Sequence, residues 1–161
     1  MSTVSVTQII EAPADQLWRL LVELPDRADW LSTVRAVELL TPGRLAPGTA
    51  WRETRTQPDG AAHTEEFVVV EAVPFRRLVL SSPGIGVDYR TTWTLRAVRR
   101  CGRARTAVSV RQEALPTAPY GRVLALLLGG LAARAVEGAF RRDLCDLARA
   151  ARPPAAAAAA A

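Results

Sequence analysis

The chain has 161 residues, 49% of them hydrophobic, and a formal charge of +5. That length fits one domain with a real core and hardly two, and the apolar share excludes disorder for most of it. The positive balance raises nucleic acid as a partner, but the cations are all arginine, scattered singly or in pairs such as Arg76–Arg77 and Arg141–Arg142, with no long block of like charge; a solvated surface is expected instead.

Thr3 to Ile10 is rich in β-branched residues and reads as a first strand. Pro13 suits the first helical position, and a helix is expected from there to Leu24, carrying Leu17, Trp18, Leu20 and Leu21. Asp26 to Leu31 reads as a second, short helix with Trp30 near its end. Strands are expected at Val34–Leu40 and Thr49–Thr56, the latter holding Trp51, Glu53 and Arg55. Pro58-Asp59-Gly60 is a turn, and His63–Val73 follows with the run Phe67-Val68-Val69-Val70. Arg76–Ser82 is a short strand that Pro83-Gly84-Ile85-Gly86 ends.

Val87–Val98 alternates most cleanly. Val87, Tyr89, Thr91, Trp93 and Leu95 share one face, and Asp88, Arg90, Thr92, Thr94 and Arg96 the other. After Arg100-Cys101-Gly102, Arg103–Leu115 alternates again, with Thr106, Val108, Val110 and Gln112 on one side. One wet and one dry face on consecutive strands marks an antiparallel sheet. Tyr120–Ala150 reads as a long C-terminal helix. In its second half Val136, Phe140, Leu144 and Leu147 form the apolar stripe, while Arg141, Arg142, Asp143 and Asp146 take the other sides. The order strand, two helices, six strands, long helix predicts an α+β domain over 1–152. The Pro/Ala-rich residues 153–161 are expected to be a disordered tail.

Exclusions of chemistry follow from residue types. No lysine is present, so no lysine Schiff base can form. One histidine, His63, and two cysteines, Cys101 and Cys145, lack metal-ligand spacing, and no glycine-rich phosphate loop joins a strand to a helix. No metal or other cofactor is expected. The cysteines suggest no disulfide framework, the N-terminus shows no secretory leader, and the window Val123–Val136 is too short for a bilayer. A cytoplasmic location is expected.

Several features follow one another along the chain: Ala12-Pro13 followed by Leu17-Trp18 and Leu21, then Asp29-Trp30-Leu31, Pro47-Gly48 before a strand, Val70-Glu71-Ala72-Val73-Pro74 running into Arg77-Leu78, the Ser82-Pro83-Gly84 turn and the closing long helix. In that order they resemble the START-like (SRPBCC) superfamily, of the polyketide cyclase/dehydrase and lipid-transport type. The resemblance implies a helix-grip fold: a curved seven-stranded antiparallel sheet around the C-terminal helix, with two short helices after strand 1. It also implies an apolar cavity between sheet and helix.

A hydrophobic small molecule, lipid or polyketide-like, is then the expected partner, with no nucleic acid, no integral membrane segment, and a monomer or weak homodimer. Its expected contacts are Trp30, Trp51, Phe67, Tyr89, Thr91, Trp93, Val108, Val110, Gln112, Leu127, Leu128 and Leu131. The alternative is a cyclase or dehydratase working by acid/base chemistry, with Tyr89, Glu53 and Arg55 as candidate catalysts; the sequence leaves open whether the protein is an enzyme. Trp18 is expected to pack helix on sheet, and Trp30 to sit at the cavity mouth.

Overall fold

The computed structural model describes residues 3–100, 102–118 and 129–152, the side chains of 99, 100 and 129–131 excepted. Seven strands form one sheet: β1 (Thr3–Ile10), β2 (Val34–Leu39), β3 (Ala50–Thr56), β4 (Ala62–Val73), β5 (Arg77–Ser82), β6 (Val87–Arg100) and β7 (Arg103–Pro116). Their spatial order is β1-β7-β6-β5-β4-β3-β2, and every neighbouring pair is antiparallel. The meander runs from β2 to β7, and the first strand then pairs with the last, Val6 opposite Val110 and Ile10 opposite Thr106. Helices α1 (Ala14–Val22) and α2 (Arg27–Trp30) lie between β1 and β2, with a 3-10 turn at Leu24–Asp26 between them; α3 (Gly129–Ala150) closes the chain. This is the α+β, helix-grip architecture expected from the sequence.

Local chemistry explains the boundaries. Pro13 has extended angles (φ −71°, ψ 152°) and precedes the helix, so α1 begins one residue later than expected. Helix α1 ends at Val22, two residues earlier than expected: Glu23 leaves helical angles (φ −79°, ψ 81°), and a 3-10 turn with Pro25 in its first positions follows. Bulges between Val34 and Ala36 and between Val69 and Glu71 insert an extra residue, which bends a strand and increases its twist. Phe75 turns β4 into β5 with φ 63°, a left-handed conformation that costs a side chain about 1–2 kcal/mol. Its ring stands edge-on to Trp18 at 6.4 Å, a contact that offsets part of that strain. Trp18 is buried on α1, in the same core cluster as the sheet residues, in keeping with its packing role.

Helix α3 is described from Gly129. The expected first turns from Tyr120, with Leu127 and Leu128, lie outside the described residues, as do the tail 153–161 and the side chain of Leu131. Phe140, Leu144 and Leu147 are buried as the stripe predicts. They join Leu17 and Leu21 of α1, Trp93 and Leu95 of β6, and Val108 and Val110 of β7 in one cluster. Each such side chain contributes about 1.5–3 kcal/mol by leaving water. One expectation fails here. Asp143 and Asp146 are not on the wet sides of α3 but buried, at 4% and 2% exposure. Asp143 is three residues from Phe140 and four from Leu147, so it lies within the stripe itself.

Candidate functional site

Residues directly opposed on antiparallel strands share a face, so the inner wall can be read in rows. One row runs Leu78, Trp93, Val110, Val6. All four are buried members of the core. The next runs Leu80, Thr91, Gln112, Val4, and Gln112 Nε2 donates to Thr91 Oγ1 across it (3.3 Å). The row after that is Ser82, Tyr89, Ala114. From the Gln112 row outward the wall is hollow.

A pocket of about 720 Å3 opens there. Among the described residues its apolar lining includes Val4, Val87, Ala114, Ala132, Ala133 and Val136; Tyr89 and Gln112 add polar tips. The α3 residues in this lining belong to the helix's first described turns, and the sheet residues to β1, β6 and β7. Arg52, His63, Thr64, Glu65, Glu66 and Ser82 form a polar wall. Ser82 Oγ donates to Glu65 Oε1 at 2.6 Å. The Pro83–Gly86 loop makes the rim. A Cβ on Gly84 would stand 2.5 Å from the Val87 carbonyl oxygen and 3.0 Å from the Tyr89 ring, so the absence of a side chain lets the loop fold back onto the tyrosine. At the loop tip Ile85 is 87% exposed.

A second polar assembly lies on the same sheet, towards β3. Glu53 is fully buried and surrounded by donors. Arg27 Nε and Trp51 Nε1 (3.0 Å) donate to its Oε1, and Arg55 Nε (3.1 Å) to its Oε2. Arg55 Nη1 then donates to both oxygens of Asp143, at 3.1 and 3.0 Å, and lies 3.3 Å from Thr33 Oγ1. Two guanidiniums and two carboxylates thus balance, and they tie α2, β3 and α3 together. The Arg27 guanidinium also lies 5.9 Å from the rings of both Trp30 and Trp51. Beside this, the Asp146 carboxylate accepts from Ser32 N (2.9 Å) and Ser32 Oγ (2.7 Å), and from Arg149 Nη1 (2.9 Å).

The network sets its own protonation. Burial pushes the Glu53 carboxyl up, but Arg27 and Arg55, with the Trp51 hydrogen bond, outweigh burial and hold it at about 2. Burial opposes the Arg55 charge, yet Asp143 and Glu53 keep that guanidinium above its ordinary value. For Asp143 burial wins over Arg55, and its carboxyl is raised. A depressed acid stabilises the fold above its unfolded value and loses that contribution on acidification; a raised acid does the reverse. Glu53 therefore contributes fully above about pH 4.5 and loses this as pH falls towards 2. Asp143 contributes fully below its ordinary 3.8 and loses this as pH rises through its folded value. The stability gap between wild type and Glu53→Gln, measured by urea denaturation, should shrink by about 3 kcal/mol across the Glu53 range. A gap that stays constant with pH would show that Glu53 is not held ionised.

The residues singled out by sequence are placed as follows. Tyr89, at 37% exposure, and Gln112 line the pocket. Trp93, Val108 and Val110 lie in the solid core, and Thr91 is buried at the boundary row. Trp51 is buried with its ring stacked on Phe67 at 5.4 Å, and Phe67 is half-buried against the core. Trp30 is half-buried over Arg27, its Nε1 without a partner. Of the candidate catalysts, Glu53 and Arg55 belong to the charge network and not to the described pocket lining, while Tyr89 does line the pocket. For a protein that only binds a ligand, Glu53 and Arg55 are expected to pair in solvent; they pair under cover instead. Arg27, Asp143, Glu65 and Ser82 are the functional or structural partners that sequence reasoning missed. Among the described residues no three His, Cys, Asp or Glu side chains group as a metal site, and no helix is long and apolar enough to cross a membrane.

A seven-stranded antiparallel sheet with a long closing helix and a hollow beside it defines the helix-grip class. The chain matches the family model described as polyketide cyclase / dehydrase and lipid transport over residues 1–152, and it belongs to that family. No curated protein matches it. Among solved structures it is similar to the Zhui aromatase/cyclase from Streptomyces sp. R1128, with TM-score 0.73 and 19% identity over 99% of this chain and 98% of that one. TTHA0849 from Thermus thermophilus gives TM-score 0.69 and 20% identity, over 92% of this chain and 96% of that one. The di-domain ARO/CYC BexL from the BE-7585A biosynthetic pathway gives 0.65 and 23% identity; 94% of this chain covers 51% of it. At these identities the likeness is one of fold.

Proposed function

We propose that the protein binds a hydrophobic small molecule, lipid- or polyketide-like, in the pocket between the sheet and α3. The observation that carries this reading is the hollow of about 720 Å3, with apolar side chains of β1, β6, β7 and α3 on one side and polar ones of β3, β4 and β5 on the other. Ligand sites have this size, about 300–1,000 Å3, and combine apolar walls with orienting polar groups. The family includes lipid transport in its description, which supports the same reading.

Acid/base cyclisation or dehydration of a bound poly-carbonyl is the second reading. One observation favours it: the Tyr89 hydroxyl group belongs to a pocket-lining side chain. Glu53 gives it little support, because its oxygens are occupied by arginine and tryptophan donors. Tyr89→Phe with a poly-carbonyl substrate, followed by absorbance of an aromatic product, separates this reading from simple binding.

Blocking the pocket tests the first reading. Ala133→Trp, with Val136→Trp as an independent second variant, should weaken binding of a neutral apolar fluorophore by about tenfold or more. Unfolding should change little, because Ala133 lies on the pocket wall. Native mass spectrometry of protein from its host should show a retained small molecule. Dye binding unchanged by both tryptophans, with nothing retained, would defeat the proposal.

A further inference from the structure

Among the described residues, the pocket's polar wall carries two carboxylates, Glu65 and Glu66, against one arginine, Arg52. Glu65 is half-buried and reaches the pocket, and Ser82, buried at 3% exposure, donates to its Oε1. A carboxylate offers about four acceptor positions, and the serine fills one. None of the described ion pairs involves Glu65, because the nearby cations are spent elsewhere. Arg55 is held by Glu53 and Asp143, Arg27 by Glu53, and Arg52 by Glu66 (3.3 Å) and Glu38 (3.6 Å). The residue directly opposed to Glu65 is Glu53, a second carboxylate. Gln112 donates one amide N–H to Thr91, which leaves its carbonyl oxygen as an acceptor and its second N–H as a donor.

We infer that this pocket selects ligands presenting a hydrogen-bond donor, a phenolic or enolic hydroxyl or an ammonium, to Glu65, and that it rejects ligands ending in a carboxylate. The inference rests on the pocket reading above and narrows its substrate class. A donor head supplies the proton that the free acceptor positions lack. A carboxylate head would bring negative charge beside Glu65, and the one arginine among the described lining residues, Arg52, is already shared by Glu66 and Glu38. Sites built to pair a ligand O–H or N–H discriminate strongly against analogues without one, since the site's own polar group is then left unpaired.

The test uses one apolar body with four ends: naphthol, naphthylmethylamine, naphthoate and methylnaphthalene, titrated into the full chain at neutral pH with intrinsic fluorescence as readout. Naphthol and the amine are expected to bind about tenfold or more tightly than naphthoate. In Glu65→Gln, with its fold checked by circular dichroism, the preference over naphthoate should fall to near parity; the wild-type ranking stands as evidence even if that variant fails to fold. Naphthoate binding as well as naphthol to the wild type overturns the inference, and so does a preference that survives unchanged in Glu65→Gln. Binding of methylnaphthalene with no head-group ranking defeats this inference alone. No binding by any of the four defeats the pocket reading with it.

Discussion

Replacing Glu53 with glutamine is expected to lower the unfolding free energy by about 3–5 kcal/mol, the usual cost of removing one partner from a buried ion pair. The side chain has no exposure and stands between two guanidiniums and an indole N–H. Glutamine keeps the shape but loses the charge, and its amide nitrogen points a donor at other donors. Asp143 alone then faces two arginines. Replacing Arg27 with methionine in the same chain should recover part of the loss, because a well-packed apolar group in place of a buried ion is often neutral or better. Urea denaturation of the two variants measures this. A loss below about 1 kcal/mol for Glu53→Gln would mean that the network is dispensable to the fold. Apolar-dye binding by the folded fraction should persist, since Glu53 is outside the described pocket lining.

Leu144→Ala is expected to cost about 2–5 kcal/mol, through lost burial and the cavity left behind. Leu144 is fully buried in the stripe that seats α3 on β1, α1 and α2. Val136, two turns earlier on the same stripe, is only half-buried against the core and also borders the pocket. Val136→Ala should cost less than about 1 kcal/mol, because the space it vacates joins an existing hollow. The two alanine variants, compared by thermal or urea unfolding, thus map where the helix stops being packed. Equal losses at the two positions would mean that the described hollow is filled in solution.

Much of the fold was legible because it is written in alternation. The faces of β6 and β7 follow directly from Val87–Leu95 and Thr106–Gln112, and the buried members of each are the ones the period of two selects. What the alternation could not show is where the inner wall meets another element and where it does not. Trp93 and Tyr89 have the same phase, yet one lies in solid core and the other on a hollow. The charge network was hidden for a different reason. Charge alone assigns Asp143 to solvent, although its spacing from Phe140 and Leu147 places it in the apolar stripe. Arg27 sits in a four-residue helix too short to show a period. A charge standing in a stripe is the signal that could have revealed Asp143, and through it Arg55 and Glu53. Glu65 and Ser82 are separated by 17 residues and meet only after β4 folds back on β5, so no local pattern announces them.

Each antiparallel strand of β5, β6 and β7 gives one end to the packed half of the wall and the other to the hollow half. Ballast and lining are therefore written on separate stretches of the same strands. Natural variation can rewrite Ser82, Tyr89 or Ala114, and with them the chemistry of the hollow, while Leu78, Trp93 and Val110 keep the molecule folded. A lineage built on this plan can reline that hollow without first acquiring a sturdier frame.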